Sequence, residues 1–265
     1  ITDPEGMTND GSFRPLTVTA PTGSVVNAIH PTPVSLYGEP GRRAIDAIIR
    51  ALAPVIPDRL PAGHYGTIAG VAMAGWDNRV NPPRWTSFQG PNGGGWGASK
   101  GQDGESALCC ITNGDTQNSP VEIIEAMAPL RVLRYALRPD TGGTGQWRGG
   151  LGTIYEFEVL TDGPFALTCA LGRTFFAPFG VSGGSDGATN TVEIRRDGSA
   201  MATLGRATAV ELQRGDRVLV KTGGGGGYGD PRKRDPLSVQ HDVRLGYVTR
   251  AAARSEYGIH IDGVK

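Results

Sequence analysis

The spacing of apolar residues predicts two helices in the first half of the chain. From Arg42 to Val55, apolar residues recur at three- and four-residue intervals and stop at Pro54, as expected for one face of a helix. This predicted face comprises Ala44, Ile45, Ile48, Ile49 and Leu52. Residues 120–129 predict a second, shorter helix that begins with a proline, where a missing N–H has no cost. Residues 63–91 read as short strands and loops, and Leu16–Ala20 alternates like a strand.

After residue 130 the apolar pattern changes to the two-residue alternation of β-strands. Residues 131–139 and 151–160 alternate most clearly. Further strand candidates are residues 165–171, 190–195 and 217–222. Turns rich in glycine and aspartate separate these strands, which is typical of a sandwich or barrel. Two short helices are expected at the end of the chain, the first ending at Gly246 and the second running from the N-cap Thr249 to Gly258.

These patterns predict an α+β fold that is β-rich, with glycine-rich loops, a sandwich- or barrel-like C-terminal sheet and two short terminal helices. We expect three parts. Residues 1–130 form an α+β segment with a glycine-rich site loop, as the C-terminal part of a larger domain. Residues 131–235 form a β-rich domain, and residues 236–265 form a helical hairpin. The chain opens with ITDPEG, without an initiator methionine, which favours a fragment or a processed product.

Composition removes several functional classes. The chain has 41 glycines, about twice the usual share, and 38% hydrophobic residues, enough for a core. Lys plus Arg equals Asp plus Glu at 26 each, so charge gives no support for a nucleic-acid or membrane partner. No apolar stretch has the length of a membrane span. Three cysteines, two of them adjacent, favour a reducing, cytoplasmic location, and no cluster has metal-ligand spacing.

The run Gly223–Gly227 has two readings. Gly224, Gly226 and Gly229 match the spacing of a dinucleotide-binding fingerprint, but Asp230-Pro231 follows where that motif needs a helix. A tight crossing of backbone segments is the favoured interpretation. The two terminal helices resemble a helix-turn-helix only superficially, because the net charge is zero and Glu256 lies on the second helix. Docking onto a sheet or a partner subunit is the expected role of these helices.

Candidate chemistry concentrates between residues 93 and 125, where glycines, carboxylates and amides occur together. Asp103, Glu122 and Glu125 are the predicted acid–base groups, able to orient a metal, a water or a proton. Glu122 and Glu125 share a helical face, and pairing of either with Arg131 or Arg134 is the structural alternative. The predicted substrate-binding residues are Gly94, Gly95, Trp96, Asn113, Arg148 and Arg173.

Two of these predictions leave alternatives open. Arg148 and Arg173 stand beside glycines, where an arginine either clamps a carboxylate or phosphate or satisfies loop carbonyl groups. The adjacent Cys109 and Cys110 lie in the apolar run ALCCI, with no histidine close in sequence. They are therefore expected to be small buried residues of a strand rather than nucleophiles.

Six ordered segments carry a resemblance to a known family. They are Asn9–Val18, GGGWGASKGQDGE, TNGDTQNSPVEIIEAMAPLRV, RPDTGGTGQWRGGLG, PFGVSGG and GGGGGYGDPRKRDPLSVQHDVRLGYVTRAAARSEYG. Over nearly its whole length the chain resembles the hydantoinase B/oxoprolinase family, which is related to subunits of acetone and acetophenone carboxylases.

The resemblance implies a B-type subunit of an ATP-dependent enzyme that opens a cyclic amide. It implies an actin-like, hydantoinase A-like partner subunit that binds ATP and phosphorylates the amide oxygen. It also implies a divalent metal whose ligands lie in an N-terminal companion segment outside this chain. In the related carboxylases, the B-type subunit would direct activated CO2 instead of water. A ketone carboxylase subunit and a non-catalytic assembly module are the alternatives.

Overall fold

The computed structural model describes residues 11, 14, 17–34, 38–90, 93–111, 113 and 116–261. Four α-helices lie in this part of the chain: α1 (Gly38–Leu52), α2 (Val121–Met127), α3 (Pro236–Arg244) and α4 (Arg250–Ser255). The strands are β1 (Gly70–Asp77), β2 (Arg84–Gly90), β3 (Leu130–Leu137), β4 (Thr153–Val159), β5 (Phe165–Ala170), β6 (Thr191–Arg196), β7 (Ser199–Leu204), β8 (Arg206–Leu212) and β9 (Arg217–Lys221). Within the described ranges, no helix combines the length and apolar character needed to cross a lipid bilayer.

The strands form two antiparallel sheets that share one hydrophobic core. The first sheet has the strand order β2-β1-β5-β8 and the second β3-β4-β9-β6-β7. Met73 and Leu167 from the first sheet belong to the same buried cluster as Phe157, Ile194 and Val218 from the second. The alternation of buried positions along each strand places these side chains on the inner faces, which pack as a sandwich. The predicted α+β fold is confirmed.

Strands on both sides of the predicted domain boundary at residue 130 share the first sheet. β1 and β2 precede this boundary, whereas β5 and β8 follow it, and antiparallel pairing of β1 with β5 joins the two halves. The division of the chain into three domains stays a prediction.

Two strands, β7 and β8, were not expected from the alternation pattern. β7 is the edge of the five-stranded sheet and β8 the edge of the four-stranded sheet. Their side chains are largely exposed or half-buried, so the strong apolar alternation of a central strand is missing. The predicted strand at Leu16–Ala20 is wrong for residues 17–20, which form none, and Leu16 lies outside the described residues. The segment Asn9–Val18 likewise falls mostly outside them.

Helix α1 buries a different face from the predicted one. It begins at Gly38, and its buried residues are Arg42, Asp46 and Ile49. Ile48 and Leu52 of the predicted apolar face are 59% and 40% exposed. Arg42 and Asp46 lie on one side of the helix because they are four residues apart. Buried partners of opposite charge compensate both side chains, so ion pairing in the tertiary structure overrides the apolar periodicity.

Five glycine-rich segments outside the helices and strands pack against one another. They are residues 62–66, 93–98, 141–150, 178–188 and 223–229, called the glycine bundle below. Successive amides of the last segment donate in three directions: Gly225 to the carbonyl of Gly150, Gly226 to Gly63 and Gly227 to Ser185. An extended chain with three residues per turn, like polyproline II, presents its amides in this way.

Glycine is required in the bundle because backbone packs directly on backbone. A Cβ at Gly224 would collide with the carbonyl of Thr141, and a Cβ at Gly225 would collide with that of Trp96. The predicted tight crossing at Gly223–Gly227 is therefore confirmed. The dinucleotide reading is wrong, since the run leads into a single 3-10 turn at Pro231–Lys233 and its amides are already bonded within the protein.

Helices α3 and α4 close the described structure and dock onto it. The Thr249 hydroxyl accepts a hydrogen bond from the Ala252 amide, so Thr249 caps α4 as predicted. Gly246 and Gly258 have φ values of 72° and 73°, the left-handed conformation that ends helices. The two helices share a small core made of Val239, Val248, Ala253 and Tyr257. The prediction of two short, capped terminal helices is confirmed.

Candidate functional site

The buried face of α1 brings together charged side chains that we call the α1 cluster. Its members are Glu39, Arg42, Arg43, Asp46 and Arg173. The Oδ2 atom of Asp46 lies 3.2 Å from Arg43 Nη1 and accepts a hydrogen bond from Arg173 Nη2 at 2.8 Å. The Arg173 side chain is 7% exposed and that of Asp46 12%, so water screens this pair weakly. Among the described residues, the cluster opposes three guanidinium groups to two carboxylates.

Glu39 ties the start of α1 to neighbouring loops. Its Oε1 atom accepts hydrogen bonds from Arg42 Nη1 at 3.0 Å and from the Thr67 hydroxyl at 2.9 Å. The Thr67 oxygen in turn accepts from the Gly172 amide at 3.1 Å. The negative charge of Glu39 is therefore already compensated within the protein.

Three nitrogens of the α1 cluster are buried without a hydrogen-bond partner among the described residues: Arg43 Nε, Arg43 Nη2 and Arg173 Nε. Burial lowers the pKa of the Arg43 guanidinium; the Asp46 carboxylate opposes this effect and the charge of Arg173 adds to it. A buried donor without an acceptor costs about 1–3 kcal/mol. An additional acceptor with negative charge would therefore be most favourable here.

Two of the predicted substrate-binding residues, Asn113 and Arg173, lie at this cluster. Asn113 Oδ1 accepts a hydrogen bond from Arg42 Nη2 at 2.7 Å. Arg173 donates from Nη1 to the carbonyl of Ala177 at 2.7 Å, besides its contact with Asp46. Arg173 thus satisfies a loop carbonyl, as one alternative predicted, and holds a carboxylate of the protein itself.

His64 connects the α1 cluster with the glycine bundle. Its Nδ1 atom accepts a hydrogen bond from the Gly97 amide at 2.8 Å, which leaves the ring proton on Nε2. Burial lowers the pKa of His64 to about 4, so the ring is neutral near pH 7. Its ring centroid lies 4.8 Å from that of Trp96, whose indole N–H donates to the Cys109 carbonyl at 2.8 Å. Trp96, a predicted substrate-binding residue, is therefore held by internal contacts.

A second charged group, the terminal cluster, joins the terminal helices to the glycine bundle. Its members are Asp103, Arg148, Arg234 and Asp242. Arg234 donates to both oxygens of Asp103 at 2.7 Å and from Nη2 to Asp242 Oδ2 at 2.8 Å. Arg148 lies 3.4 Å from Asp242 and donates to the Gly149 carbonyl at 2.7 Å. Two guanidinium groups face two carboxylates, so the charges of this cluster balance.

The geometry gives Asp103 a bonding role inside the terminal cluster. Besides Arg234, its Oδ1 atom accepts a hydrogen bond from the Arg148 amide at 2.7 Å. Burial alone would raise the pKa of Asp103, but the hydrogen bonds and charge of Arg234 lower it below its usual value. A carboxylate held ionised by a bidentate arginine is a weak proton acceptor. The assignment of Asp103 as an acid–base group stays a prediction.

The other two predicted acid–base residues lie on α2, which follows Pro120 as expected. Glu125 Oε1 accepts a hydrogen bond from the Val132 amide at 2.8 Å. Arg131, one of its expected partners, contacts Glu158 instead, at 3.2 Å. Glu122 is exposed on the same helix. The structure brings neither residue into contact with Asp103, and their catalytic roles stay predictions.

Gly94 and Gly95 are explained by packing within the glycine bundle. A Cβ at Gly94 would collide with the Tyr65 ring, and a Cβ at Gly95 would collide with the Gly150 carbonyl. Cys110 is 1% exposed, which confirms the predicted burial, whereas Cys109 is half-buried and neither residue belongs to a strand. The lack of a strand reflects the neighbouring bundle, where Leu108 pairs only with Gly94.

Arg42, Asp46, Arg234 and Asp242 take part in these clusters but were not expected to do so. A four-residue spacing of opposite charges, as in Arg42 and Asp46, was the available signal. In the part of the chain that the structure describes, no three His, Cys, Asp or Glu side chains are placed to hold a metal ion. The carboxylates of both clusters already face arginines, so these residues do not fit a divalent metal.

Comparison with known proteins adds what the geometry leaves open. The sequence model of the family described as hydantoinase B/oxoprolinase matches residues 1–231. The chain belongs to this family. It is 34% identical over 255 residues to the B-type component of a D-/L-hydantoinase from Pseudomonas sp. (strain NS671), covering 96% of this chain and 42% of that protein. It is also 34% identical over 270 residues to the beta subunit of the caprolactamase from Pseudomonas jessenii, covering 96% and 45%.

Solved structures agree with the family assignment. The crystal structure of the ATP-dependent caprolactamase from Pseudomonas jessenii has a TM-score of 0.78 at 32% identity, over 93% of this chain and 43% of the other. The nucleotide-free structure of acetone carboxylase has a TM-score of 0.62 at 20% identity, over 78% and 31%, which shows a similar fold alone. The chain therefore spans less than half the length of these curated relatives.

Proposed function

We propose that this chain is part of the B-type subunit of an ATP-dependent cyclic-amide hydrolase of the hydantoinase, caprolactamase or 5-oxoprolinase type. The observation that carries this proposal is the 34% identity, over 96% of the chain, to named subunits of a hydantoinase and a caprolactamase. The similarity to the ATP-dependent caprolactamase structure supports it.

The proposal includes polypeptide beyond this chain. ATP is held by a hydantoinase A-like partner subunit, and a companion segment of the same B-type subunit supplies the ligands of a divalent metal. Two facts motivate this view: the relatives are named as subunits, and the described residues do not fit a metal. This chain then contributes walls, orienting groups and subunit contacts. A cytoplasmic location belongs to the same proposal, and the three free thiols support it.

The decisive experiment uses the native assembly purified through a tag on the B-type subunit. A hydantoin, caprolactam and 5-oxoproline are incubated with it, with and without ATP, and ring-opened acid and released phosphate are quantified. We expect ring opening only with ATP, coupled to phosphate release. Failure of all cyclic amides in an assembly that binds ATP would contradict the proposal.

The same preparation tests the ketone carboxylase alternative, for which the acetone carboxylase fold is the motivation. Incorporation of labelled bicarbonate that requires both a ketone and ATP would replace hydrolysis by carboxylation. An assembly without either activity, and without an ATP-binding partner, would leave the role of an assembly module.

Glu122 offers the cleanest test of the proposed acid–base residues because it is exposed. Glu122→Gln should leave the unfolding temperature unchanged and lower turnover by about 100-fold or more if the residue transfers a proton. Asp103→Asn is the contrasting variant, since it also weakens the contact with Arg234 and should lower stability. Wild-type turnover in Glu122→Gln would remove that residue from the site.

A further inference from the structure

The α1 cluster differs from an ordinary buried ion-pair network in its excess of donors. Arg43 and Arg173 both contact one carboxylate, that of Asp46, through one nitrogen each. Their remaining buried nitrogens, Arg43 Nε, Arg43 Nη2 and Arg173 Nε, have no acceptor among the described residues. Guanidinium groups present donors in a planar fork that matches the oxygens of carboxylate and phosphate groups.

A groove gives access to this cluster. It has a volume of about 530 Å³, and Arg43, Glu39 and Arg206 are the charged residues that line it. Arg42 and Thr67 already compensate the charge of Glu39, so the groove presents net positive charge from Arg43 and Arg206. The Arg43 side chain is 34% exposed, which allows a ligand in the groove to reach it.

The walls of the groove constrain the rest of the ligand. Val25, Val26 and Leu171 form apolar walls next to the arginines. Gly172 lies at the base, where the absence of a side chain keeps the approach to Arg43 open. A ligand that fits carries a compact negative group at one end and a short apolar body at the other.

We propose that the α1 cluster binds the oxyanion group of a small ligand, a carboxylate or a phosphoryl group, through Arg43 and Arg173. Arg206 attracts the ligand from the rim of the groove, and the valine walls hold an apolar chain. This site is separate from the acid–base residues considered for hydrolysis. The proposal does not depend on the proposed reaction, because binding is measured without ATP or a cyclic amide.

The experiment is isothermal titration of the purified protein with inorganic phosphate, acetate and butyrate at low ionic strength. We expect saturable binding. Butyrate has two more CH2 groups than acetate, and burial of both on the valine walls would strengthen binding by about tenfold. Preference for butyrate over acetate identifies a carboxylate ligand with an apolar chain, whereas tighter binding of phosphate identifies a phosphoryl ligand.

Variants locate the site. Arg43→Gln should weaken the preferred anion by about tenfold or more, because it removes charge-assisted hydrogen bonds. Arg206→Gln, at the exposed rim, should weaken binding only about twofold. Arg214→Gln is the matched control, since Arg214 is an exposed arginine paired with exposed Asp162 away from the groove. It should bind like the wild type.

Folding is checked by thermal unfolding of each variant, and Arg43→Lys gives a second test that keeps the charge. This lysine variant should bind with intermediate affinity, because one ammonium group cannot reproduce the planar fork. The proposal is overturned if none of the three anions binds saturably, if folded Arg43→Gln binds like the wild type, or if Arg214→Gln weakens binding equally.

Discussion

The α1 cluster and the terminal cluster use the same residue types on the same glycine bundle, yet they differ in charge balance. In the terminal cluster two arginines face two aspartates, and Arg234 grips Asp103 with both terminal nitrogens. In the α1 cluster three arginines face two carboxylates, and three guanidinium nitrogens lack a partner among the described residues, against one, Arg234 Nε, in the terminal cluster. A balanced group fastens two parts of a fold, whereas an unbalanced one is suited to bind.

The largest expected effect comes from breaking the bundle that carries both clusters. In Gly225→Ala the new Cβ collides with the Trp96 carbonyl, and neighbouring backbone on several sides cannot move away. We expect a loss of more than about 4 kcal/mol in the free energy of unfolding, or no folded protein. Urea denaturation and soluble yield measure this.

Gly41→Ala is the matched control for the bundle. Nothing lies within 4 Å of a Cβ at this helical position, so alanine should stabilise α1 by up to about 1 kcal/mol. Equal stability of Gly225→Ala and the wild type would mean that backbone does not pack on backbone there.

The next largest effect separates the clusters. Arg234→Gln leaves Asp103 and buried Asp242 without their main counter-charge, which should cost about 3–5 kcal/mol. Arg254→Gln, at an exposed site on α4, should change stability by less than about 0.5 kcal/mol. Urea unfolding compares the two, and a small effect of Arg234→Gln would make the terminal cluster dispensable for docking α3 and α4.

A third effect depends on pH and belongs to the α1 side. The pKa of His64 falls from its ordinary value near 6.5 to about 4 on folding. The unfolded chain therefore binds more protons between these values. The resulting stability is fully present above pH 6.5 and is lost as the pH falls towards 4. A shift of this size corresponds to about 3 kcal/mol.

Urea unfolding at pH 7 and pH 4 tests this prediction by comparing the wild type with His64→Gln. The variant should lose less stability on acidification. His241→Gln, at an exposed position, should behave like the wild type. The same pH dependence in all three proteins would exclude His64 as its origin.

The smallest expected effect sharpens the distinction between fastening and binding. Arg43→Gln should change the free energy of unfolding by less than about 1 kcal/mol, because the side chain is partly exposed and Asp46 keeps Arg173 as its partner. Arg173→Gln, by contrast, removes a buried partner of Asp46 and should cost about 3 kcal/mol or more. Denaturation curves compare the two, and a large loss in Arg43→Gln would make this residue structural.

The predictable part of the fold was the part that depends on local pattern. Alternation identified the strands β3, β4, β5, β6 and β9, and end signals placed Thr249, Gly246 and Gly258 correctly. Edge strands β7 and β8 lacked this signal because half of each is exposed. The predicted site residues proved to be scattered, with Arg148 and Asp103 in one cluster, Asn113 and Arg173 at another, and Glu122 and Glu125 on α2.

The sequence by itself determined the family, the α+β class and the need for backbone contact at the glycine run, because ordered motifs, alternation and missing side chains are local properties of the chain. Only the tertiary structure decided which face of α1 is buried and which arginine meets which carboxylate. The physical reason is that the energy of a buried charge depends on partners distant in sequence, such as Asp46 and Arg173, and no local pattern specifies those contacts.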